Sequence, residues 1–304
     1  MLSKNKAAPR LDNLPQGFGM DWQTRTSFEL QGYHFDIPNS MKEFLTPTEP
    51  SHPDSFYLGK TTPMIGAYLR QLRERMPSRI LELGVYQGGS AAFLQLLAKP
   101  QRMLAMDLST DRLPLLENFI EKEKLTKRMH MKYGIDQADK ETVRGLVAEH
   151  LGEGRSVDLV VDDASHLLAP TRASFEAVFP YVRSGGSFVI EDYASLQIVC
   201  NGHLDRALDG EQGPATLVKH ALRDGLQDDL RPLHAMAVEV MLASILEPTI
   251  FAKVIVDRHW LRIVRGSKHI EEPENFRLAD YVNDYFGLLN VEHADNLKSY
   301  LPDV

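Results

Sequence analysis

One cysteine, Cys200, is all that the 304 residues contain, so no internal disulfide can form and a reducing compartment is expected. Long hydrophobic runs are missing as well. Nothing approaches the roughly 20 apolar residues of a membrane-spanning helix, and the opening stretch MLSKNKAAPR lacks the apolar core of a secretion signal. Positive charge is in deficit: 34 Lys and Arg stand against 42 Asp and Glu, a net charge of −8, which argues against nucleic acid or anionic membrane as partner. There is no internal repeat, no low-complexity tract and no G-x-G-x-x-G dinucleotide fingerprint, whose second glycine would have to stand at Tyr86. What is left is an ordinary globular composition, 43% hydrophobic and 25% charged, enough to bury a full core. The expected location is the cytoplasm.

The chain is organised around Val157–Tyr193, VDLVVDDASHLLAPTRASFEAVFPYVRSGGSFVIEDY. Two short runs rich in β-branched residues, Val157–Val161 and Ser187–Ile190, flank a helical pattern, as in two parallel strands joined by a crossover helix. Acids end both runs: Asp162 and Asp163 after the first, Glu191 and Asp192 after the second. Parallel strands lie about 4.8 Å apart, and their carboxyl ends share the edge where ligands bind. Four carboxylates and His166 are therefore expected to converge. Such a group repels itself unless protons or a cation intervene, and a divalent cation is the best reading.

Read in order, residues 1–60 hold Pro9, Pro15, Pro38, Pro47, Pro50 and Pro53, spacing that breaks regular elements. The expectation is a stretch with a short strand at Phe28–Phe35 and a helical turn near Met41–Leu45, forming either an irregular arm packed on the domain or on another subunit, or a lid whose aromatics, such as Trp22, Tyr33 and Tyr57, would touch substrate. From residue 61 onward the pattern is regular. A helix (Pro63–Met76) leads to a strand (Arg79–Leu83), a glycine-rich turn (Gly84–Gly89) and a helix (Ser90–Leu97). Then follow a strand (Met103–Met106), a helix (about Leu113–Glu123), a strand (Met129–Tyr133) and a helix (Lys140–Leu151). Alternation of this kind means an α/β fold with a mostly parallel sheet. After Tyr193 comes a helical insertion, about residues 195–247, clearest at Pro214–Asp224 and Leu233–Leu246. Ile250–Val256 and Trp260–Val264 read as an antiparallel hairpin, and a last helical stretch runs over Arg277–Leu288.

The turn after the first parallel strand, LELGVYQGGSAAF, offers Glu82, Gly84, Gly88, Gly89 and Ser90. Glycines let a ligand approach the backbone, and the helix start presents free amides. An acid two residues before the first glycine suits a cationic amino-acid end better than a pyrophosphate. Asp107 closes the second strand, where an acid takes ribose hydroxyls. Asp136 closes the third, placed to reach an adenine amino group. Asp162 would support the amino-acid end of the cofactor or the surroundings of the cation.

E-x-G-x-x-x-G-G followed by an acid at the next strand end resembles the class I methyltransferases that use S-adenosylmethionine. D-D-A-S-H followed by V-I-E-D-Y resembles, more narrowly, the Mg²⁺-dependent O-methyltransferases of macrolide-sugar tailoring and the related cephalosporin-hydroxylase-associated family, over about Lys60 to Tyr193. GIDQAD, at Gly134–Asp139, resembles the family's third strand end, while Ala164 stands where glycine is commoner. The resemblance implies a Rossmann-like methyltransferase fold, a seven-stranded sheet with a C-terminal antiparallel hairpin. It implies a cation held by Asp163, Glu191 and Asp192, and His166 as base. Oxygen donors favour Mg²⁺, with Ca²⁺ or Mn²⁺ as substitutes. A hydroxyl beside the cation becomes more acidic, and an imidazole accepts its proton near neutral pH. The expected acceptor is a hydroxylated small molecule: a sugar diol, a catechol-like ring or a polyketide.

His203, His220, His234 and His259 lack ligand spacing. Met236, Val240, Leu242 and Ile245 form a packing stripe that would serve the core, the acceptor pocket or a second copy in a homo-oligomer. Two rival functions stand. An NAD-dependent dehydrogenase would use the same sheet, against the evidence of the glycine turn and the acid cluster. A non-methylating protein of the same fold would use the cofactor as scaffold or support a hydroxylase.

Overall fold

The computed structural model describes residues 11–283 apart from 12, 39–50, 53, 155, 209–210, 213–217 and 220–230. The chain divides into two compact units: Met1–Ser78, Val85–Gln101 and Asp111–Met129 in the first, and Arg79–Gly84, Arg102–Thr110 and His130–Val304 in the second.

In the first unit, β1 (Met20–Trp22), β2 (Ser27–Leu30), β3 (Tyr33–Asp36) and β4 (Phe56–Tyr57) form a four-stranded sheet in that order. The single strand expected at Phe28–Phe35 is in fact a hairpin. Gln31 and Gly32 both take left-handed backbone, φ 53° and 83°, the two-residue turn whose twist suits antiparallel strands. The helical turn expected near Met41–Leu45 lies outside the described residues. Helices α1 (Thr62–Glu74), α2 (Gly89–Ala98) and α3 (Pro114–Lys122) complete the unit. Its core is aromatic: Phe28 stacks on Phe35 at 5.1 Å, Phe35 on Phe56 at 5.4 Å, and Phe93 meets both Phe28 and Phe35 edge-on. Such pairs add roughly 0.5–1.5 kcal/mol beyond the area they bury. Two of the aromatics expected at the substrate are used internally. Trp22 is buried and donates its indole N–H to the Pro15 carbonyl at 2.7 Å, and the Tyr33 hydroxyl donates to Glu123 at 2.6 Å. Tyr57 remains half-buried, edge-on to the exposed Tyr86.

The second unit is built on a Rossmann-like, mostly parallel sheet: β5 (Arg79–Leu83), β6 (Arg102–Asp107), β7 (Met129–Tyr133), β8 (Val157–Asp162), β9 (Val182–Glu191), β10 (Phe251–Val256) and β11 (Trp260–Arg265). The order across the sheet is β10-β11-β9-β8-β5-β6-β7. β5 pairs parallel with β6 and β8, β8 pairs parallel with β9, and the β10–β11 hairpin closes one edge antiparallel, as expected. β8 is buried at every position, which explains its unbroken VDLVVD run. β9 is ten residues long where Ser187–Ile190 was expected, because its first half, Val182–Gly186, has no apolar alternation to betray it. A bulge between Val157 and Leu159 lets it pair there, and a Cβ at Gly186 would lie 2.8 Å from the Asp158 carbonyl.

Helices α4 (Lys140–Leu151), α5 (Leu168–Val178), α6 (Ser195–Leu208) and α7 (Ala235–Leu246) belong to this unit. α4 starts on Asp139, whose carboxylate accepts the Thr142 N–H at 3.1 Å, and buries Val143, Val147 and Leu151 as one stripe. The insertion thus holds α6, which sequence did not single out, and α7. Of the helix expected at Pro214–Asp224 only Val218 and Lys219 are described, and both are helical. The stretch expected as helix from Arg277 is a 3₁₀ turn at Leu278–Tyr281, and its continuation lies outside the described residues. Among the described residues no helix is long and apolar enough to cross a membrane.

His130 on β7 and His150 in the last turn of α4 face each other with ring centroids 4.3 Å apart. Burial, then Lys132, lowers the pKa of both, Arg102 lowers it further, and Glu149 opposes them. The unfolded chain therefore binds more protons than the folded one as pH falls through about 6.5, so stability is kept above that pH and lost below it. Urea denaturation from pH 7.5 to 5 should show this loss, and a His130→Gln, His150→Gln double variant should show a flatter profile.

Candidate active site

β5 lies at the switch point of the second unit's sheet, between β6 and β8, and the carboxyl ends of such strands form the binding edge of doubly wound sheets. Two backbone bonds knit this edge: Gly84 N–H donates to the Met106 carbonyl at 2.9 Å, and Asp163 N–H donates to the Leu83 carbonyl at 2.9 Å. Gly84 takes φ 81°, and a Cβ there would sit 2.3 Å from the Asp163 carbonyl oxygen. Any larger residue would push apart the loops that follow β5 and β8.

Glu82 is fully buried in β5, in register with Ala105 of β6 and Val161 of β8. Asp107 ends β6, half-buried, its carboxylate accepting the Ser109 N–H at 2.8 Å. Asp136, exposed after β7, accepts the Ala138 N–H at 2.8 Å. Each of these three acids thus sits at or near a strand end of the second unit. In the first unit, Gly88 caps α2 in left-handed backbone (φ 86°) with no side-chain cap, and Ser90 follows in its first turn. A Cβ at Gly89 would meet the Tyr57 carbonyl at 2.0 Å, so the glycine pair is required by packing as well.

Asp162 is buried within a polar network that sequence reading missed. Gln137 donates to both its oxygens, at 3.2 and 3.0 Å, and the Ser174 hydroxyl donates to it as well. The other end of the Gln137 amide accepts the Ser165 N–H at 2.9 Å, which ties the loop after β8 to the segment after β7. Burial pushes the Asp162 carboxyl up to about 6, partly offset by the Ser174 bond. The only sequence signal for Gln137 was its place inside GIDQAD; Ser174 had none.

The expected convergence of acids is realised in part. Asp163, His166 and Asp192, all half-buried, offer ligand atoms within 4.8 Å of one another. His166 Nε2 lies 3.9 Å from Asp163 Oδ1, beyond hydrogen-bond range. His166 and Asp192 both adopt left-handed backbone, φ 55° and 48°, a conformation costing non-glycine residues about 1–3 kcal/mol and concentrated at functional sites. Glu191 is fully buried in β9, opposite Trp260 of β11, and Asp162 is turned toward Gln137 and Ser174; neither joins the three. Two carboxylates and an imidazole at this spacing fit a divalent cation that prefers oxygen donors.

Residues 81–193 match the methyltransferase-domain family. The chain is 30% identical over 177 residues to an 8-demethyl-8-(2-methoxy-alpha-L-rhamnosyl)-tetracenomycin-C 3'-O-methyltransferase of Streptomyces olivaceus, covering 56% of this chain and 40% of that protein. It is 60% identical over 35 residues to the mycinamicin VI 2''-O-methyltransferase of Micromonospora griseorubida, covering 12% of this chain and 9% of that one. The chain therefore spans less than half the length of these curated relatives. Among solved structures it is similar to a methyltransferase of the mycinamycin biosynthetic pathway in complex with Mg and SAH, at 21% identity and a TM-score of 0.47, covering 74% of this chain and 53% of that one. The matched residues include the glycine turn, Asp107, Gln137, Asp162 and all three clustered residues.

Proposed function

We propose that the chain is an S-adenosylmethionine- and divalent-cation-dependent O-methyltransferase acting on a hydroxyl, most simply one of a diol, of a small natural product such as a sugar or polyketide. The observation that carries this reading is the Asp163–His166–Asp192 cluster at the carboxyl edge of a methyltransferase domain. The names of the curated relatives above give a rhamnosyl-bearing tetracenomycin and mycinamicin VI as the molecules they O-methylate, which supports the acceptor class.

Glu82, Gly84, Gly88, Ser90, Asp107, Asp136 and Asp162 are the residues assigned to the cofactor and its surroundings. Asp107 takes the ribose hydroxyls, Asp136 the adenine amino group, and the glycine turn the methionine end. When bound, the cofactor supplies an electrophilic methyl group and the cation lowers the pKa of a hydroxyl beside it. Asp163 and Asp192, side by side with His166, would hold the cation, while Glu191, the third carboxylate that the resemblance implies, is buried in β9 outside this cluster. His166 receives the hydroxyl proton on its imidazole. The remaining work is orientation of the acceptor and exclusion of water.

The full chain incubated with Mg²⁺, labelled S-adenosylmethionine and a panel of glycosylated polyketides should release S-adenosylhomocysteine, as neither a dehydrogenase nor a scaffold protein would. By calorimetry, Asp107→Ala should bind S-adenosylmethionine more weakly by about 1.5–3 kcal/mol, the scale of a hydrogen bond to a charged group. Full affinity in that variant would remove the ribose assignment.

A further inference from the structure

The residue after Asp192 has no part in the chemistry above, yet the fold invests in it. Tyr193 is 8% exposed, and its hydroxyl donates to the Asp257 carbonyl at 2.8 Å. Asp257 begins the turn between β10 and β11. Its carboxylate accepts the N–H groups of His259 at 2.8 Å and Trp260 at 2.9 Å, and its own N–H donates to the Trp260 carbonyl at 3.0 Å. The same turn reaches back to the cluster, because the His259 carbonyl accepts the Asp192 N–H at 3.0 Å. Asp192 therefore hangs from the hairpin turn by its backbone, and Tyr193 pins that turn by its side chain. The arrangement coincides with the left-handed backbone of Asp192, a conformation that aspartate tolerates but that its surroundings must select. The Asp192 carbonyl is engaged too, accepting the Ser195 N–H at 2.9 Å where α6 begins.

We propose that Tyr193 and Asp257 are positioning residues that aim the Asp192 carboxylate at the cation, so the β10–β11 turn tunes cation affinity without touching the ion. The inference rests on the cation reading above. Groups that orient ligands in this way typically change metal affinity by about 10–100-fold when removed.

Titration of the full chain with Mn²⁺, following the free-ion electron paramagnetic resonance signal, tests it. Tyr193→Phe deletes the hydroxyl and keeps the ring, and should weaken Mn²⁺ binding by about tenfold, with S-adenosylmethionine affinity unchanged. Asp257→Ala should weaken it similarly. Asp257→Asn should restore it, because its amide oxygen still accepts both N–H groups. A merely structural role would lower the thermal midpoint and leave Mn²⁺ affinity at the wild-type value, and that result overturns the proposal. A wild-type chain that takes up no Mn²⁺ overturns the cation reading and this inference together, so the two failures are distinguishable.

Discussion

Chelation of divalent cations should abolish methyl transfer, and added Mg²⁺ should restore it. The expectation follows from charge. Asp163 and Asp192 leave the ends of adjacent strands and bring carboxylates within 4.8 Å of each other and of His166. Like charges at that separation repel by an amount that partial burial makes larger. A cation held there would offset the repulsion and would lower the pKa of a hydroxyl beside it. Asp163→Asn keeps the shape and removes one charge. The Mg²⁺ concentration for half-maximal rate should rise by at least about a hundredfold, the upper end of what loss of a mere supporting group costs. Cofactor affinity should stay nearly intact, because Asp163 is not among the residues assigned to S-adenosylmethionine. Metal-free protein that turns over at the wild-type rate would make the cluster structural.

Burial on both faces made the sheet legible. β8 and the last positions of β9 are buried throughout, so selection for apolar, β-branched residues left unbroken runs that could only be central strands. Where burial is partial the signal faded: Arg183–Gly186 of β9 reads as loop although it is strand, and the Gln31–Gly32 turn hid within FELQGYHF, whose mixed apolar and polar residues passed for one strand. At the site, adjacency in sequence was a poor guide to adjacency in space. Glu191 and Asp192 are neighbours, yet strand alternation sends consecutive side chains to opposite faces, and only Asp192 escapes by leaving the strand in left-handed backbone. Asp162 and Asp163 separate in the same way, one turned to Gln137 and Ser174, the other facing the cluster. Gln137 and Ser174 stand 25 and 12 residues from Asp162, and neutral polar side chains carry no pattern by which such distant partners announce themselves. Their bonds exist only once the strand ends have been assembled.

His166→Ala should lose at least about a hundredfold in kcat, the low end of the range for general-base catalysis. His166 is three residues beyond Asp163, about a third exposed, and its imidazole stands 3.9 Å from the Asp163 carboxylate without a hydrogen bond to it. A side chain so placed would be close enough to the proposed cation site to take a proton from an acceptor hydroxyl held beside it. The same proximity would also suit a nitrogen ligand, and the two roles separate by what else changes. As a base, His166 can be removed with Mn²⁺ affinity kept and kcat lost; as a ligand, its removal weakens Mn²⁺ binding and excess metal recovers the rate. The backbone needs its own control, since His166 sits at φ 55°. Asparagine tolerates that region better than alanine, so His166→Asn should match His166→Ala in kcat if the loss is chemical and exceed it if the loss is strain. A variant of either kind that keeps most of the wild-type kcat would strip His166 of the base role and leave the cation alone to activate the hydroxyl.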